Sequence, residues 1–291
     1  MLDAPGTDSM VRDCWASWRA GTIGFGAAVR IDAASTTTSD EVDPSPTPDE
    51  LTLFFARVTD ATSNDPVAYY VQRAARDAPY GPPQRVPELV RDLVTRITVR
   101  SDAAELVYAS TRAGGAGASD LWALTRADAT VPYGPPTQAR VSATATASSE
   151  LDPALSASGL DLYFARANPT MSGPTQTILV ASRPRLDAGF GVPVAVDLPG
   201  VPTFAADPVP SPDETVMVFT AIVGTEHDTY YALRVGGSSK WRIQGKVPGL
   251  DRAGIREGDA TFSRDGCQLV FSATDATHGL ARDLYVADAL P

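Results

Sequence analysis

A pattern of about fifty residues recurs five times along this chain, and it limits the folds that the sequence can adopt. The pattern is clearest at 150–166, ELDPALSASGLDLYFAR, which reads as an extended segment, a polar turn and a second, apolar extended segment. An aromatic residue marks the second segment at intervals of 53, 56, 55 and 52 residues, as Phe55, Tyr108, Phe164, Phe219 and Phe271. Self-similarity at this period is typical of repeat architectures.

An aspartate precedes the aromatic marker by twelve residues in four of the five copies. These residues are Asp43, Asp152, Asp207 and Asp259, and Arg96 takes the same place in the second copy. Between aspartate and aromatic lie segments such as TPDE at 47–50 and SRDG at 263–266. Segments of this composition favour tight hairpin turns, because Gly tolerates positive φ and Asp or Ser side chains bond the turning backbone.

A third strand-like run and a polar fourth strand complete each copy. In the first four copies an arginine closes the third run, and an aromatic residue follows seven positions later, in the pairs Arg73 and Tyr80, Arg126 and Tyr133, Arg183 and Phe190, and Arg234 and Trp241. Each copy therefore predicts four short antiparallel strands. Radial repetition of such units predicts an all-β fold, a five-bladed β-propeller of four-stranded antiparallel blades.

The predicted blades span approximately 32–90, 91–145, 146–200, 201–250 and 251–291, in one domain over 1–291, because no linker interrupts the period. The last copy stops after its third strand, so a strand at 26–31 is expected to complete the final blade and close the ring. Residues 13–31 resemble the second half of a repeat, with Trp15 in the place of Trp122. A strand at 14–19 would be surplus to five blades; an extra outer strand and a partial sixth blade are the alternatives.

Composition narrows the classes of function. The net charge of −11 argues against a nucleic-acid binder, which needs a basic face. No apolar run approaches 18 residues, so no membrane span is expected. The first fifteen residues lack the basic and apolar regions of a signal peptide. Cys14 and Cys267 are either buried side chains or a disulfide that ties the N-terminal segment to the last blade, and a disulfide would imply an oxidising compartment.

Propeller geometry predicts that the first strand of each blade lines a central channel. Acidic residues at the starts of these strands would gather near one mouth: Glu41, Asp43, Glu150, Asp152, Asp207, Glu257 and Asp259. One interpretation is structural, with each aspartate bonding nearby backbone amides. The other is a ligand-binding ring of carboxylates that raise one another's pKa and attract a cation, an amine or a basic peptide. No dedicated loop motif is present, so no cofactor is predicted, although Ca²⁺ takes clustered oxygen ligands and is left open.

The loops after the second strands are predicted to open on the same face and to add candidate binding residues. These are Arg57, Arg166, His227 and His278. Two histidines without a third ligand pattern are weak evidence for zinc, and surface histidines are the alternative. No Gly-X-Ser-X-Gly elbow is present, so no hydrolytic triad and no catalytic residue can be assigned.

The pattern DPxLSxxGLxLYFAxxR, with the strand DLWxxTR and the turn YGPP, resembles the TolB-like, WD-repeat-like propeller repeats of bacterial envelope proteins. The resemblance extends from about residue 13 onward, and it departs in the second copy, which lacks Asp-Pro. It implies a binding role and a periplasmic or cell-envelope location, with a cytoplasmic location as the alternative. It implies no particular partner.

Two functions follow as hypotheses. The first is a non-enzymatic, monomeric scaffold that presents an acidic channel mouth and its loops to a protein, peptide or cell-wall partner. The second is a glycoside hydrolase, because some five-bladed propellers hold acid and base carboxylates at this mouth; a carbohydrate would then be the ligand. The near-identical motifs in four blades favour the scaffold, since a catalytic site normally breaks the symmetry of a repeat.

Overall fold

The computed structural model describes residues 13–58, 65–90, 92–128, 131–138, 141, 144–170, 173–200, 204–223, 226–236, 238–250, 255–274 and 281–291, with only the backbone described at 168–170 and 173–174. Strands dominate these ranges, which also contain one short α-helix and one 3-10 turn, Pro87–Leu89. Among the described helices, none has the length and apolar character needed to cross a membrane.

The strands fall into five units, here named blades A to E. The first described elements are helix α1 (Cys14–Ala20) and strand β1 (Val29–Arg30). Blade A contains β2 (Asp40–Pro46), β3 (Thr52–Val58), β4 (Pro66–Gln72) and β5 (Gln84–Arg85). Blade B contains β6 (Val94–Val99), β7 (Glu105–Ser110) and β8 (Asp120–Thr125), with a bridge from Ala123 to Thr137 in place of a fourth strand.

Blade C contains β9 (Ser149–Leu155), β10 (Asp161–Thr170), β11 (Gly173–Ser182) and β12 (Val194–Ala195). Blade D contains β13 (Phe204–Pro210), β14 (Val216–Val223), β15 (Glu226–Arg234) and β16 (Trp241–Lys246). Blade E contains β17 (Glu257–Phe262), β18 (Gln268–Thr274) and β19 (Arg282–Asp288).

The five units close into a ring. Within each blade the strands pair antiparallel in chain order. The innermost strands β2, β6, β9, β13 and β17 each contact the next, and β17 contacts β2. Apolar clusters fill the seams between adjacent blades. The predicted all-β propeller is therefore confirmed, and the described strands fit five blades.

The final blade is completed by the N-terminal segment, as the sequence predicts, but helix α1 was not foreseen. Strand β1 pairs antiparallel with β19, with Val29 opposite Val286. The expected strand at 14–19 is wrong, because local capping favours a helix there. The Asp13 carboxylate accepts a hydrogen bond from the amide of Ala16, at 2.9 Å, and Gly21 ends the helix at φ 69°. Neither an extra outer strand nor a sixth blade is needed to accommodate this segment.

Helix α1 occupies a position that an arginine fills in other blades. In blades A, B and C the arginine that ends the third strand donates from Nε to the carbonyl oxygen of a left-handed turn residue, namely Glu50, Ala103 and Gly159, at 2.7–2.8 Å. In blade E the left-handed residue is Gly266, and the Nε1 of Trp18 donates to its carbonyl at 3.0 Å. The Cys14–Cys267 disulfide joins the helix to the same turn.

Candidate functional site at the hub

The innermost strands carry an aspartate in an unusual backbone conformation. Asp43, Asp152, Asp207 and Asp259 have φ of 57°, 54°, 53° and 58°, and each lies where the pairing register with the second strand shifts. Aspartate is one of the few residues other than glycine that tolerates left-handed backbone. A bulge of this kind redirects the side chain. Here it turns four carboxylates toward the axis of the ring.

Three of these carboxylates connect neighbouring blades through backbone amides, and the amide of Asp259 donates instead to the hydroxyl of Thr220, at 3.1 Å. The amide of Asp43 donates to the carboxylate of Asp259 at 3.4 Å, and the amide of Arg96 donates to the carboxylate of Asp43 at 3.3 Å. The carboxylate of Asp152 accepts from the amide of Asp207 in the same way. In each case the donor is the equivalent residue of the next blade. The aspartates thus bond backbone amides, across blade boundaries and not only within a local turn.

Two guanidinium groups balance part of the negative charge. The buried Arg96 donates to the carbonyl oxygens of Asp259 and Ala260 in blade E, and its Nη1 lies 4.0 Å from Asp207 Oδ1. The Nη2 of Arg282 lies 3.1 Å from Asp259 Oδ2, which also accepts a hydrogen bond from Ser272. The one blade that departs from the aspartate motif therefore supplies a cation to the cluster that the other four form.

Burial and mutual repulsion separate the pKa values of the four carboxyls. Burial, with the charges of Asp259 and Asp152, raises the pKa of Asp43 to about 8. Burial also raises the pKa of Asp152 to about 6, against the opposing effect of Arg96, and raises that of Asp207 well above its ordinary value. Burial also acts to raise the pKa of Asp259, but the charge of Arg282 and the hydrogen bond from Ser272 outweigh the effect of burial and lower the pKa of this carboxyl. The pKa of Asp43 therefore lies above neutral pH, whereas that of Asp259 lies below its ordinary value.

Among the described residues, the group of acidic side chains close enough to hold a cation belongs to the same cluster. Oxygen atoms of Asp43, Asp207 and Asp259 lie within 4.8 Å of one another, and carboxylate oxygens suit a hard cation such as Ca²⁺. Arg96 and Arg282 also supply positive charge there, and backbone or side-chain donors contact Oδ2 of both Asp43 and Asp259.

Two of the predicted glutamates pair with the two predicted arginines. Glu41 accepts from Arg57 Nε at 2.7 Å, and Glu150 accepts from Arg166 Nε at 2.9 Å. Each glutamate also accepts from the amide and hydroxyl of a preceding threonine, Thr36 or Thr146. Burial raises the pKa of both glutamates. We call each Glu-Arg-Thr group a latch, because it fixes the segment before the innermost strand to the second strand.

The remaining candidates are dispersed. Glu257 is buried at the start of β17. Arg57, Arg166 and His227 lie within strands, not in the predicted loops. In blades C and D the second and third strands pair as far as Thr170 with Gly173 and Val223 with Glu226, and in blade A the second strand extends to Val58. Burial and the charges of Arg256 and Arg282 lower the pKa of His227. His278 lies outside the described residues. The ligand-binding role of these residues stays a prediction.

An open cavity lies at the other end of the innermost strands, and the sequence did not single it out. It has a volume of about 390 Å³, and all five blades line it through the ends of the innermost strands and the turns that follow. We call it the hub funnel. Arg96 is part of its wall, whereas the four aspartates are not. Its lining includes hydroxyl groups of Thr47, Thr98, Ser101 and Thr261 and the exposed Arg264.

Solved structures share this fold at low sequence identity. A thermostable family-43 glycoside hydrolase is 12% identical, with a TM-score of 0.61 over 86% of this chain and 89% of that one. A putative TolB from Agrobacterium tumefaciens is 14% identical, with a TM-score of 0.51 over 91% and 97%. TolB from Acinetobacter baumannii is 12% identical, with a TM-score of 0.44, and this chain spans 55% of its length. No protein-family model and no curated protein matches the sequence. The likenesses establish the propeller fold alone.

Proposed function

We propose that this protein is a non-enzymatic scaffold of the bacterial cell envelope that binds a segment of a protein or peptide partner in the hub funnel. The observation that carries the proposal is the contrast between the two ends of the innermost strands. At one end the four aspartates are less than 10% exposed, and three of them accept hydrogen bonds from backbone amides of the next blade. At the other end a cavity lined by five turns is open to solvent.

The chemistry of the hub funnel suits an extended polar segment. A volume of about 390 Å³ falls within the range of ligand sites. Hydroxyl groups around its wall can donate to and accept from a peptide backbone. Arg264 adds a cation at the rim, so a partner segment with an acidic residue would be favoured over a basic one.

The disulfide supports the proposed location. Cys14 and Cys267 are bonded across 253 residues of chain, and disulfides persist in oxidising compartments such as the periplasm. The fold likeness to a putative TolB agrees with an envelope protein.

The proposal is tested by affinity capture from envelope extract with variants of the funnel rim. Ala157 is exposed in the first turn of blade C and lines the funnel, so Ala157→Trp should block entry; Arg264→Glu should reverse the rim charge. Ala75 is also an exposed alanine, but it does not line the funnel, and Ala75→Trp is the matched control. We expect partners captured by the wild type and the control to be lost with both rim variants. Identical recovery with all four proteins would refute the proposal.

One observation favours a glycoside hydrolase as the second candidate. The pKa of Asp43 is raised and that of the neighbouring Asp259 is lowered, which is how acid and base roles are separated in such enzymes. The burial of both carboxyls argues against substrate access. Turnover of aryl glycosides or polysaccharides by the wild type, abolished in Asp43→Asn and Asp259→Asn variants that remain folded, would replace the scaffold proposal.

A further inference from the structure

A second cavity lies at the seam between blades E and A, where the chain closes the ring. Its volume is about 430 Å³. Ile31, Val270 and Val286 form apolar walls, and Arg73 and Gln268 contribute polar groups. We call it the closure pocket. Among the five apolar clusters of the described residues, the one at this seam is the smallest, with six buried members against nine to eighteen elsewhere. The pocket is thus a place where the repeat leaves its core unfilled.

The seam between blades B and C shows which partners the counterpart of Arg73 has in a filled seam. Arg183 ends the third strand of blade C, and its guanidinium stacks over Phe190 at 4.3 Å. Its two terminal nitrogens donate to both carboxylate oxygens of Glu105, at 3.1 and 2.5 Å. Both side chains of this ion pair are fully buried. Glu105 is the first residue of β7, in the preceding blade.

Arg73 is the counterpart of Arg183, but it has no counterpart of Glu105. Arg73 stacks over Tyr80 at 4.7 Å and donates from Nε to the Glu50 carbonyl at 2.8 Å, as Arg183 does with its own turn. Gln268 is the first residue of β18 in the preceding blade, so it occupies the place of Glu105. The Gln268 amide nitrogen donates to Asp288 at 2.7 Å. Within the described part of the chain, no carboxylate pairs with Arg73.

We propose that the closure pocket binds a carboxylate with an apolar body. The carboxylate would pair with the terminal nitrogens of Arg73, in the place that Glu105 holds against Arg183. The apolar body would lie against Ile31, Val270 and Val286, which the fold leaves partly uncovered or at the edge of the seam core. Paired, bidentate geometry makes such contacts stronger than neutral hydrogen bonds.

The other charges beside the pocket do not oppose this ligand. The carboxylate of Glu50 accepts a hydrogen bond from the amide of Arg264 and pairs with Arg76 at 3.3 Å, so its charge is compensated. Asp32 is on the rim, with its side chain 84% exposed and paired with Arg30 at 2.7 Å. Arg73 is therefore the charged group of the pocket that lacks an oppositely charged partner in the described residues.

Calorimetric titration with octanoate tests the proposal, with octanamide as a neutral probe of the same shape. We expect saturable binding of octanoate. Octanamide should bind at least roughly tenfold more weakly than octanoate, because it lacks the charge-assisted hydrogen bonds to Arg73. Arg73→Gln should weaken octanoate binding to the level of octanamide. Arg126→Gln, the same change at the equivalent residue of blade B, should leave it unchanged.

A second variant keeps the test independent of any loss of folding in Arg73→Gln. Gln268→Glu installs the carboxylate that blade B already has, at the cost of the hydrogen bond to Asp288. The new carboxylate should pair with Arg73 and abolish octanoate binding in a variant that remains folded. Equal affinities for octanoate in the wild type, Arg73→Gln and Gln268→Glu, or no binding to the wild type, would overturn the proposal. A tetrapeptide ending in leucine, as free acid and as amide, distinguishes a peptide C-terminus from a free carboxylic acid as the source of the carboxylate. The pocket and the hub funnel share Pro46, Glu50 and Ser263 in their walls, but Arg73 and Gln268 line only the pocket and Ala157 lines only the funnel. Variants at these positions therefore let either proposal fail alone.

Discussion

At the scale of single residues, one side chain position serves two purposes at the hub. The left-handed backbone at Asp43, Asp152, Asp207 and Asp259 needs a residue that tolerates positive φ. At Asp43, Asp152 and Asp259 the carboxylate also accepts a hydrogen bond from the amide of the next blade. Four such carboxyls repel one another when ionised. Arg96, at the fifth position, reduces that repulsion without an added ion.

The raised pKa values predict how stability depends on pH. A carboxyl whose pKa is higher in the folded than in the unfolded protein binds its proton more tightly when folded, so its contribution to stability is complete below the unfolded pKa and is lost as pH rises. For Asp43, with a folded pKa of about 8, the loss occurs between about pH 4 and pH 8. The unfolding free energy of the wild type should fall between about pH 4 and pH 8. In Asp43→Asn this fall should be smaller by at least about 1.4 kcal/mol, the equivalent of one pKa unit.

The control for this experiment is Asp49→Asn. Asp49 lies in the first turn of blade A, and hydrogen bonds from Thr47 and Leu51 outweigh burial and lower its pKa. Its contribution to stability has the opposite sign, present at neutral pH and lost in acid. His227, with a lowered pKa, also favours folding as pH rises, so the wild-type curve alone is not decisive. Chemical unfolding from pH 4.5 to 8.5 provides the measurement; an unchanged slope in Asp43→Asn would contradict the prediction.

At the scale of elements, the two latches explain why glutamates recur before the innermost strands. Glu41 with Arg57 and Glu150 with Arg166 make the same contacts in blades A and C. In blade C, Arg166 also donates to the carbonyl of Thr144, and in blade A Arg57 donates to that of Ala34. The paired charges of each latch hold the segment before the innermost strand. This structural role explains the recurring glutamate, which the sequence alone also allowed as part of a ligand-binding ring.

A double-mutant cycle on the blade C latch measures its strength. Breaking a buried ion pair leaves an uncompensated charge, so Glu150→Gln should cost about 3 kcal/mol of unfolding free energy. The double variant Glu150→Gln with Arg166→Met should cost less than the two single changes combined, with a coupling above about 1 kcal/mol. The pair Arg185 and Asp187 is about 70% exposed and should give less than about 1 kcal/mol. A latch coupling no larger than that of this exposed pair would show that the latch does not stabilise the fold.

The elements also show what the sequence could and could not predict. The fifty-residue period was sufficient to predict the strands and their order, since each copy repeats the same succession of extended segments and turns. It also located the aspartates on the innermost strands. It could not reveal that they bond amides of the next blade, because that contact depends on tertiary geometry. Helix α1 was missed because its signals, Asp13 and Gly21, flank only seven residues that also match a strand of the repeat.

At the scale of the whole molecule, the ring is closed by contacts between distant parts of the sequence. Strand β1 pairs with β19, helix α1 packs its buried Cys14 and Trp18 against blades D and E, and the disulfide fixes the helix to blade E. The hub funnel and the closure pocket both depend on this closure, because blades A and E supply walls to each.

Removal of the disulfide should therefore weaken the fold as a whole. A crosslink that closes a long loop typically contributes 2–4 kcal/mol, and removing one typically costs about 2–5 kcal/mol. We expect Cys14→Ser with Cys267→Ser to lower the unfolding free energy by about 3 kcal/mol, measured by chemical denaturation. The wild type in excess reductant should match the double variant, which itself should not respond to reductant. Identical stability of the wild type with and without reductant would contradict the expectation.

The closure between β1 and β19 also bears on how the protein emerges from the ribosome. The edge that completes blade E is synthesised early, while its partner follows some 250 residues later, a separation reflected in the 253 residues between the bonded cysteines. At roughly 5–20 residues per second, tens of seconds elapse between the two events. During that interval blades A to D can form while the ring stands open, so capture of the N-terminal edge by β19 is expected to be a late step of folding.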